Sequence, residues 1–279
     1  MTDSTLVTYT DAQGFNLALM DWPLEDHQPL RGLVIIVHGL GEHAGRYDAL
    51  AARLVQWGFA VRSYDQHGHG ESSGKPGSLP TDTQLLDDLA DLIDHTRVHL
   101  PAGVPLILLG HSMGGLVASR LVSLAMRRVD ALVLSSPALD AGLSAVQKLL
   151  VAVLPRIAPD LRVGNGLDAT YLSHDPVVVQ AYRNDPLVHD RISARLARFI
   201  ATQGPAVVAH ASHWTVPTLL LWAGDDRLVN PEGSRRFAEA APAQVVSSQC
   251  FEGYYHEIFN ETGREAVLDA LQAWLDARF

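Results

Sequence analysis

The chain has 279 residues, 47% hydrophobic and 19% charged, enough for one large core or a core with an inserted subdomain. Lys plus Arg number 21 against 31 Asp plus Glu, and the net charge of −10 excludes nucleic acid and electrostatic docking on anionic lipid while accommodating a neutral ester or uncharged amphiphile. The single cysteine, Cys250, rules out an internal disulfide, and Met1-Thr2-Asp3-Ser4-Thr5 shows no secretory leader pattern; both point to a reducing cytoplasm.

In chain order, residues 6–10 and 15–22, joined through Asp11-Ala12-Gln13-Gly14, predict an antiparallel hairpin. From Arg31 the pattern becomes strand, helix, strand. Candidate strands cover 33–37, 60–64, 106–109, 131–135, 218–222 and 245–251, with helical patterns at 47–57, 83–99, 115–126 and 266–277. Such alternation predicts a mostly parallel, doubly wound α/β sheet. It lapses between Ser136-Pro137 and Thr215-Val216-Pro217, a gap too long for an ordinary loop. The expected organisation is therefore a core of 1–137 and 215–279 with an inserted helical cap over 138–214. Residues 143–161 of that cap are rich in Leu, Val and Ala and broken by Pro155 and Pro159. The apolar stretch 149–154 falls far short of the ~20 residues that span a bilayer. It suits the roof of an apolar pocket, a surface in transient contact with lipid aggregates, or packing on the core. Residues 174–198, with His174-Asp175-Pro176 and Asp185-Pro186, read as two polar-faced helices with proline near their starts.

The chemistry concentrates at Gly110-His111-Ser112-Met113-Gly114, which lies behind an apolar strand pattern and ahead of a helical one. That context makes the G-x-S-x-G turn a nucleophile elbow, with Ser112 as the nucleophile and the Met113 amide as an oxyanion donor at a helix N-terminus. A second literal match, Gly70-Glu71-Ser72-Ser73-Gly74, has no strand before it and no helix after it, and reads as loop. A serine hydroxyl needs a base. In the chain order serine, acid, histidine, the only histidine beyond the carboxylates of Gly224-Asp225-Asp226-Arg227 is His256. Spacing alone leaves Asp225 and Asp226 both open as the acid.

Four segments together resemble the monoacylglycerol lipase and bacterial lysophospholipase family of α/β-hydrolases: His38-Gly39-Leu40-Gly41-Glu42-His43, Tyr64 through Ser72, Gly110 through Gly115, and Asp226-Arg227-Leu228. The resemblance implies an α/β-hydrolase fold, Asp226 as the acid and the Leu40 amide as the second oxyanion donor. It implies a serine hydrolase of carboxylic esters of single-chain amphiphiles, with no cofactor and no metal. A small-ester carboxylesterase and a non-catalytic receptor on the same fold are the alternatives. A metal site at His38, His43, His67 and His69 lacks the further acidic and histidine pair that a two-metal site requires. His111 is expected to pack the elbow, Asp65 to order its loop, and Cys250 to be a small buried side chain.

Overall fold

The computed structural model describes residues 4–25 and 27–279, so the reading of the chain start falls partly outside the described residues. Strands β1 (Thr5–Thr10) and β2 (Asn16–Trp22) form the expected antiparallel hairpin. Its turn closes with the Asp11 N–H donating to Phe15 O at 2.9 Å and with Gly14 at φ 87°, where a side chain would strain the backbone. Then follow β3 (Gly32–Val37), α1 (Asp48–Gln56), β4 (Phe59–Tyr64), α2 (Gln84–His99), β5 (Leu106–His111), α3 (Met113–Ser123) and β6 (Ala131–Ser135).

Between β6 and the next strand of the main sheet come α4 (Ala145–Ile157), β7 (Arg162–Gly164), α5 (Pro176–Asn184), β8 (Arg191–Ser193) and α6 (Ala194–His210). The chain closes with β9 (Thr218–Ala223), α7 (Glu232–Ala240), β10 (Val246–Phe251) and α8 (Glu265–Asp276).

Eight strands make one sheet in the order β1-β2-β4-β3-β5-β6-β9-β10. Only β1–β2 and β2–β4 pair antiparallel; the rest are parallel, as the strand-helix alternation predicted. Central β5, Leu-Ile-Leu-Leu-Gly-His, is buried along its whole length because helices cover both faces of the sheet. On one face α1 and α8 pack over Val34, Ile36, Ile107 and Leu109; on the other α2, α3, α6 and α7 pack over Ile35, Val37, Leu106 and Leu108. Helix α8 shows why it docks. Val267, Leu268, Leu271, Trp274 and Leu275 recur at helical spacing and form one buried stripe, each worth roughly 1.5–3 kcal/mol.

Three local expectations require correction. Pro155 does not break α4: it lies in the last turn, where a missing N–H costs only one helical hydrogen bond. No helix starts at Pro186: Asp185 accepts the Leu187 N–H just as Asp175 accepts the Val177 N–H at the start of α5, but the His189 N–H then donates to Gly41 O and the segment continues into β8 paired with β7; the second helix is α6, which begins at Ala194. Cys250 is half-exposed at the sheet edge, with its thiol 3.3 Å from Glu252 Oε1 and burial pushing its pKa up to about 11. Helix α7 went unread in the sequence because Glu-Gly-Ser-Arg-Arg-Phe-Ala-Glu-Ala buries only Gly233, Ser234 and Phe237.

Candidate active site

Ser112 is the single residue between β5 and α3, held at φ 52°, ψ −119°. A non-glycine residue there carries roughly 1–3 kcal/mol of strain and persists only if its surroundings over-determine it. They do: its N–H donates to Ser135 O (3.0 Å), and its carbonyl accepts from Leu116 N–H (3.0 Å) and Ala138 N–H (2.9 Å). The flanking glycines are needed for clearance. A Cβ on Gly114 would stand 2.0 Å from Val37 O, and one on Gly110 would stand 2.5 Å from Gly114 O. The other match, at Ser72, is loop as expected, with its hydroxyl donating to Asp65 O at 2.5 Å. Asp65 orders that loop and its neighbour, taking the N–H of Ala44 (2.8 Å) and of Glu71 (2.9 Å).

The loop after β3 runs from His38 to His43. His38 is buried and takes the Gln66 N–H on Nε2 at 2.9 Å. Glu42 folds back so that Oε1 accepts the Gly39 N–H at 2.5 Å and the Tyr47 hydroxyl at 2.6 Å. Arg46 bridges Glu42 and Glu257, reaching the latter at 2.7 and 2.9 Å. Burial alone would raise the Glu42 pKa, but the Arg46 guanidinium holds it down to about 2. With Gly39 N–H taken, the Leu40 N–H, like that of Met113 at the start of α3, has no protein acceptor among the described residues. Both residues line the same cavity, and Met113 begins α3, a helix end whose dipole favours negative charge.

His256 sits in the turn after β10, its ring 5% exposed and its Nδ1 2.6 Å from Asp226 Oδ2. Asp226 is fixed by the Leu228 and Val229 N–H groups, both 2.9 Å from Oδ1, whereas Asp225 is exposed. Burial disfavours both charged forms, yet their mutual attraction wins: the Asp226 pKa is lowered and the His256 pKa raised. His111 packs against the His256 ring at 4.7 Å and hydrogen-bonds Ser135 Oγ at 3.1 Å; burial lowers its pKa to about 4, so it stays neutral.

A cavity of about 470 Å³ brings Leu40, Ser112, Met113 and His256 onto one wall, with Asp226 behind the imidazole. Ser112 and His256 share that wall without a direct hydrogen bond between Oγ and the ring. The opposite wall comes from the segment between β6 and β9: Leu143 and Val151 from before and within α4, Ile192 from β8, Ala197 and Ile200 from α6. Asn165, Asp168, Tyr171 and Arg227 form its polar side, with the Arg227 guanidinium 4.9 Å over the Tyr171 ring. A larger groove of about 610 Å³ between α4 and α6 shares Ala141, Leu143 and Val151 with it but contains none of these groups. Glu42 has no assigned role in the sequence motifs, and Arg46 and Glu257 belong to none of them. The i, i+4 spacing of Glu42 and Arg46 was a usable signal; Glu257 lies 211 residues from Arg46.

A family model described as "Serine aminopeptidase, S33" matches residues 28–263. The chain is 37% identical over 248 residues to a monoacylglycerol lipase of Mycolicibacterium smegmatis, covering 88% of each. It is 32% identical over 259 residues to phospholipase YtpA of Bacillus subtilis, covering 91% of this chain and 98% of the relative. The crystal structure of a Paleococcus ferrophilus monoacylglycerol lipase superposes with a TM-score of 0.81 at 34% identity, covering 99% of each chain.

Proposed function

We propose, from the premise that this chain belongs to the serine aminopeptidase S33 family of α/β-hydrolases, alongside monoacylglycerol lipases and a phospholipase, that it cleaves carboxylic esters of single-chain amphiphiles through an acyl-enzyme. The observation that carries this is the buried Asp226–His256 pair on the same cavity wall as Ser112 and two unpaired amides.

Ser112 Oγ attacks the ester carbonyl while His256 Nε2 takes its proton. Asp226 holds Nδ1–H and stabilises the imidazolium. The negative charge that develops on the carbonyl oxygen is met by the Leu40 and Met113 N–H groups, each worth about 3–4 kcal/mol of transition-state stabilisation. His256 then protonates the departing alcohol, and water reverses the sequence to free the fatty acid. No cofactor takes part. The apolar wall of Leu143, Val151, Ile192 and Ile200 suits the acyl chain, and the polar side at Asn165, Asp168 and Arg227 suits the alcohol.

Residues 138–214 act as a cap on a core of 1–137 and 215–279. Five large apolar side chains of α4 are exposed, among them Leu149 at 64% and Ile157 at 78%, which suits contact with neutral lipid aggregates that deliver substrate. Among the described residues no helix is long and apolar enough to cross a membrane. The lone cysteine fits action in the cytoplasm.

Initial rates on p-nitrophenyl esters and monoacylglycerols of graded chain length, with Ser112→Ala alongside, test this. The rates should rise toward medium or long chains and fall about 10⁴- to 10⁶-fold in the variant. Preference for acetate would make the protein a small-ester carboxylesterase, and no turnover at all would favour a receptor.

A further inference from the structure

Helix α5 has no fully buried side chain; its half-buried Tyr182 lies under the Arg46 guanidinium, 4.8 Å from the ring centroid, and its two ends are tied to the core by hydrogen bonds. At the N-terminal end, Ser173 Oγ donates to Asn260 O at 3.0 Å, and His174 Nδ1 lies 2.8 Å from Glu261 Oε1. The same Glu261 oxygen takes the N–H of Tyr255, the residue before His256, at 2.8 Å. Leu172 O accepts the Glu257 N–H, also at 2.8 Å. At the C-terminal end, Asp185 Oδ2 stands 2.8 Å from His43 Nε2. His43 Nδ1 accepts the Gly45 N–H at 3.2 Å, so the ring proton is on Nε2 and points at Asp185. Four residues further on, His189 N–H donates to Gly41 O at 2.9 Å. Gly41 is at φ 79°, and a Cβ there would be 2.4 Å from His189 O, so the two backbones touch.

We propose that α5 is a strut that sets the Leu40 amide against His256, and that Asp185 and His43 are positioning residues for the oxyanion hole. This rests on the roles given above to Ser112 and Leu40. An oxyanion donor must keep its own N–H unpaired, so only its neighbours can fix its direction. Gly39 is held from the core side by Glu42, and Gly41 and His43 are held from the α5 side by His189 and Asp185. The charge-assisted bond to Asp185 is the strongest contact on that second side. Its loss frees the peptide to swing, and displacement of a catalytic group by about 1 Å can cost on the order of 10²-fold.

The test is kcat and KM on soluble p-nitrophenyl butyrate for wild type, Asp185→Ala, Asp185→Asn, His43→Gln and Ser112→Ala. Affinity for a trifluoromethyl ketone, whose serine adduct carries an oxyanion, is measured alongside. Asp185→Ala should lower kcat roughly ten-fold or more with KM within about two-fold, and weaken the ketone by the same factor. Asp185→Asn should recover most of this, because its amide oxygen still accepts from His43 Nε2–H. If Asp185→Ala does not fold, His43→Gln carries the same comparison against Asp185→Asn. A kcat within two-fold of wild type, or a loss confined to KM with ketone affinity unchanged, overturns the strut. Full turnover in Ser112→Ala overturns the serine mechanism itself and the strut with it, whereas a dead Ser112→Ala beside an unaffected Asp185→Ala removes the strut alone.

Discussion

The elbow around Ser112 and the helix α4 that faces it across the cavity follow opposite physical rules. At the elbow every residue from Met113 to Ser119 is buried, backbone atoms pass within van der Waals contact, and one strained residue is held by three hydrogen bonds. Helix α4 buries only Pro155 and leaves Val146, Leu149, Leu150, Val153 and Ile157 in water. Chemistry requires atoms fixed to fractions of an ångström, and buried polar bonds supply that; admitting and holding a flexible chain requires apolar surface, which needs area more than geometry. The molecule therefore spends its rigidity on the core wall of the cavity and its exposed apolar surface on the other.

The sharpest way to break that comparison is at Asp226. Asp226→Asn should lower kcat/KM about 10³- to 10⁴-fold, and Asp225→Asn should stay within about three-fold. A raised His256 pKa means the base form appears only above the ordinary histidine range, so wild-type activity should climb with pH through a limb placed there. In Asp226→Asn that limb should move toward acid in the pH–rate profile. Equal losses at the two aspartates would show that the fixed geometry is not what matters.

Gly114→Ala tests the same contrast in stability. Its Cβ would fall 2.0 Å from Val37 O, and thermal unfolding should report a loss of at least about 3 kcal/mol. A smaller loss would mean that the core wall yields as easily as the helix opposite.

Asp88 shows how far the core excludes water. Its side chain is buried beside Asp11, neither Oδ2 has another partner, and burial raises its pKa to about 8. Here the sign is the reverse of the usual carboxylate. The folded state keeps the proton and the unfolded state releases it near pH 4, so stability should fall as pH rises from about 4 to about 8. Asp88→Asn should flatten that slope and gain about 3–4 kcal/mol at pH 8 relative to pH 5, read by urea unfolding at the two pH values.

The smallest effect on folding is expected on α4. Leu149→Ser with Ile157→Ser should change stability by less than about 0.5 kcal/mol per site and leave kcat/KM on soluble butyrate ester unchanged. Sedimentation with neutral phosphatidylcholine vesicles should nonetheless drop roughly ten-fold. Unchanged vesicle binding would separate the exposed helix from any contact with lipid.

Much of this was legible in the residues. The doubly wound sheet followed from alternating apolar runs and the Ser112 elbow from a glycine turn between strand and helix, because each signal lies within one or two adjacent elements; His256 was singled out by chain order, as the one histidine beyond Asp226. The choice between Asp225 and Asp226 was not, since a shift of one residue at a strand end reverses the side a carboxylate faces. Asp185-Pro186 carried a good local signal for a helix start, and tertiary contact overrode it: the His189 N–H bonds to Gly41 across the molecule, and the chain extends into β8 instead. Local patterning determined the fold and the elbow at Ser112, because hydrophobic periodicity and glycine clearance act over a few residues. The Glu42–Arg46–Glu257 bridge, the His43–Asp185 contact across 142 residues and the cavity between core and insert were decided by the folded chain alone, because hydrogen bonds over such separations depend on packing that no local spacing encodes.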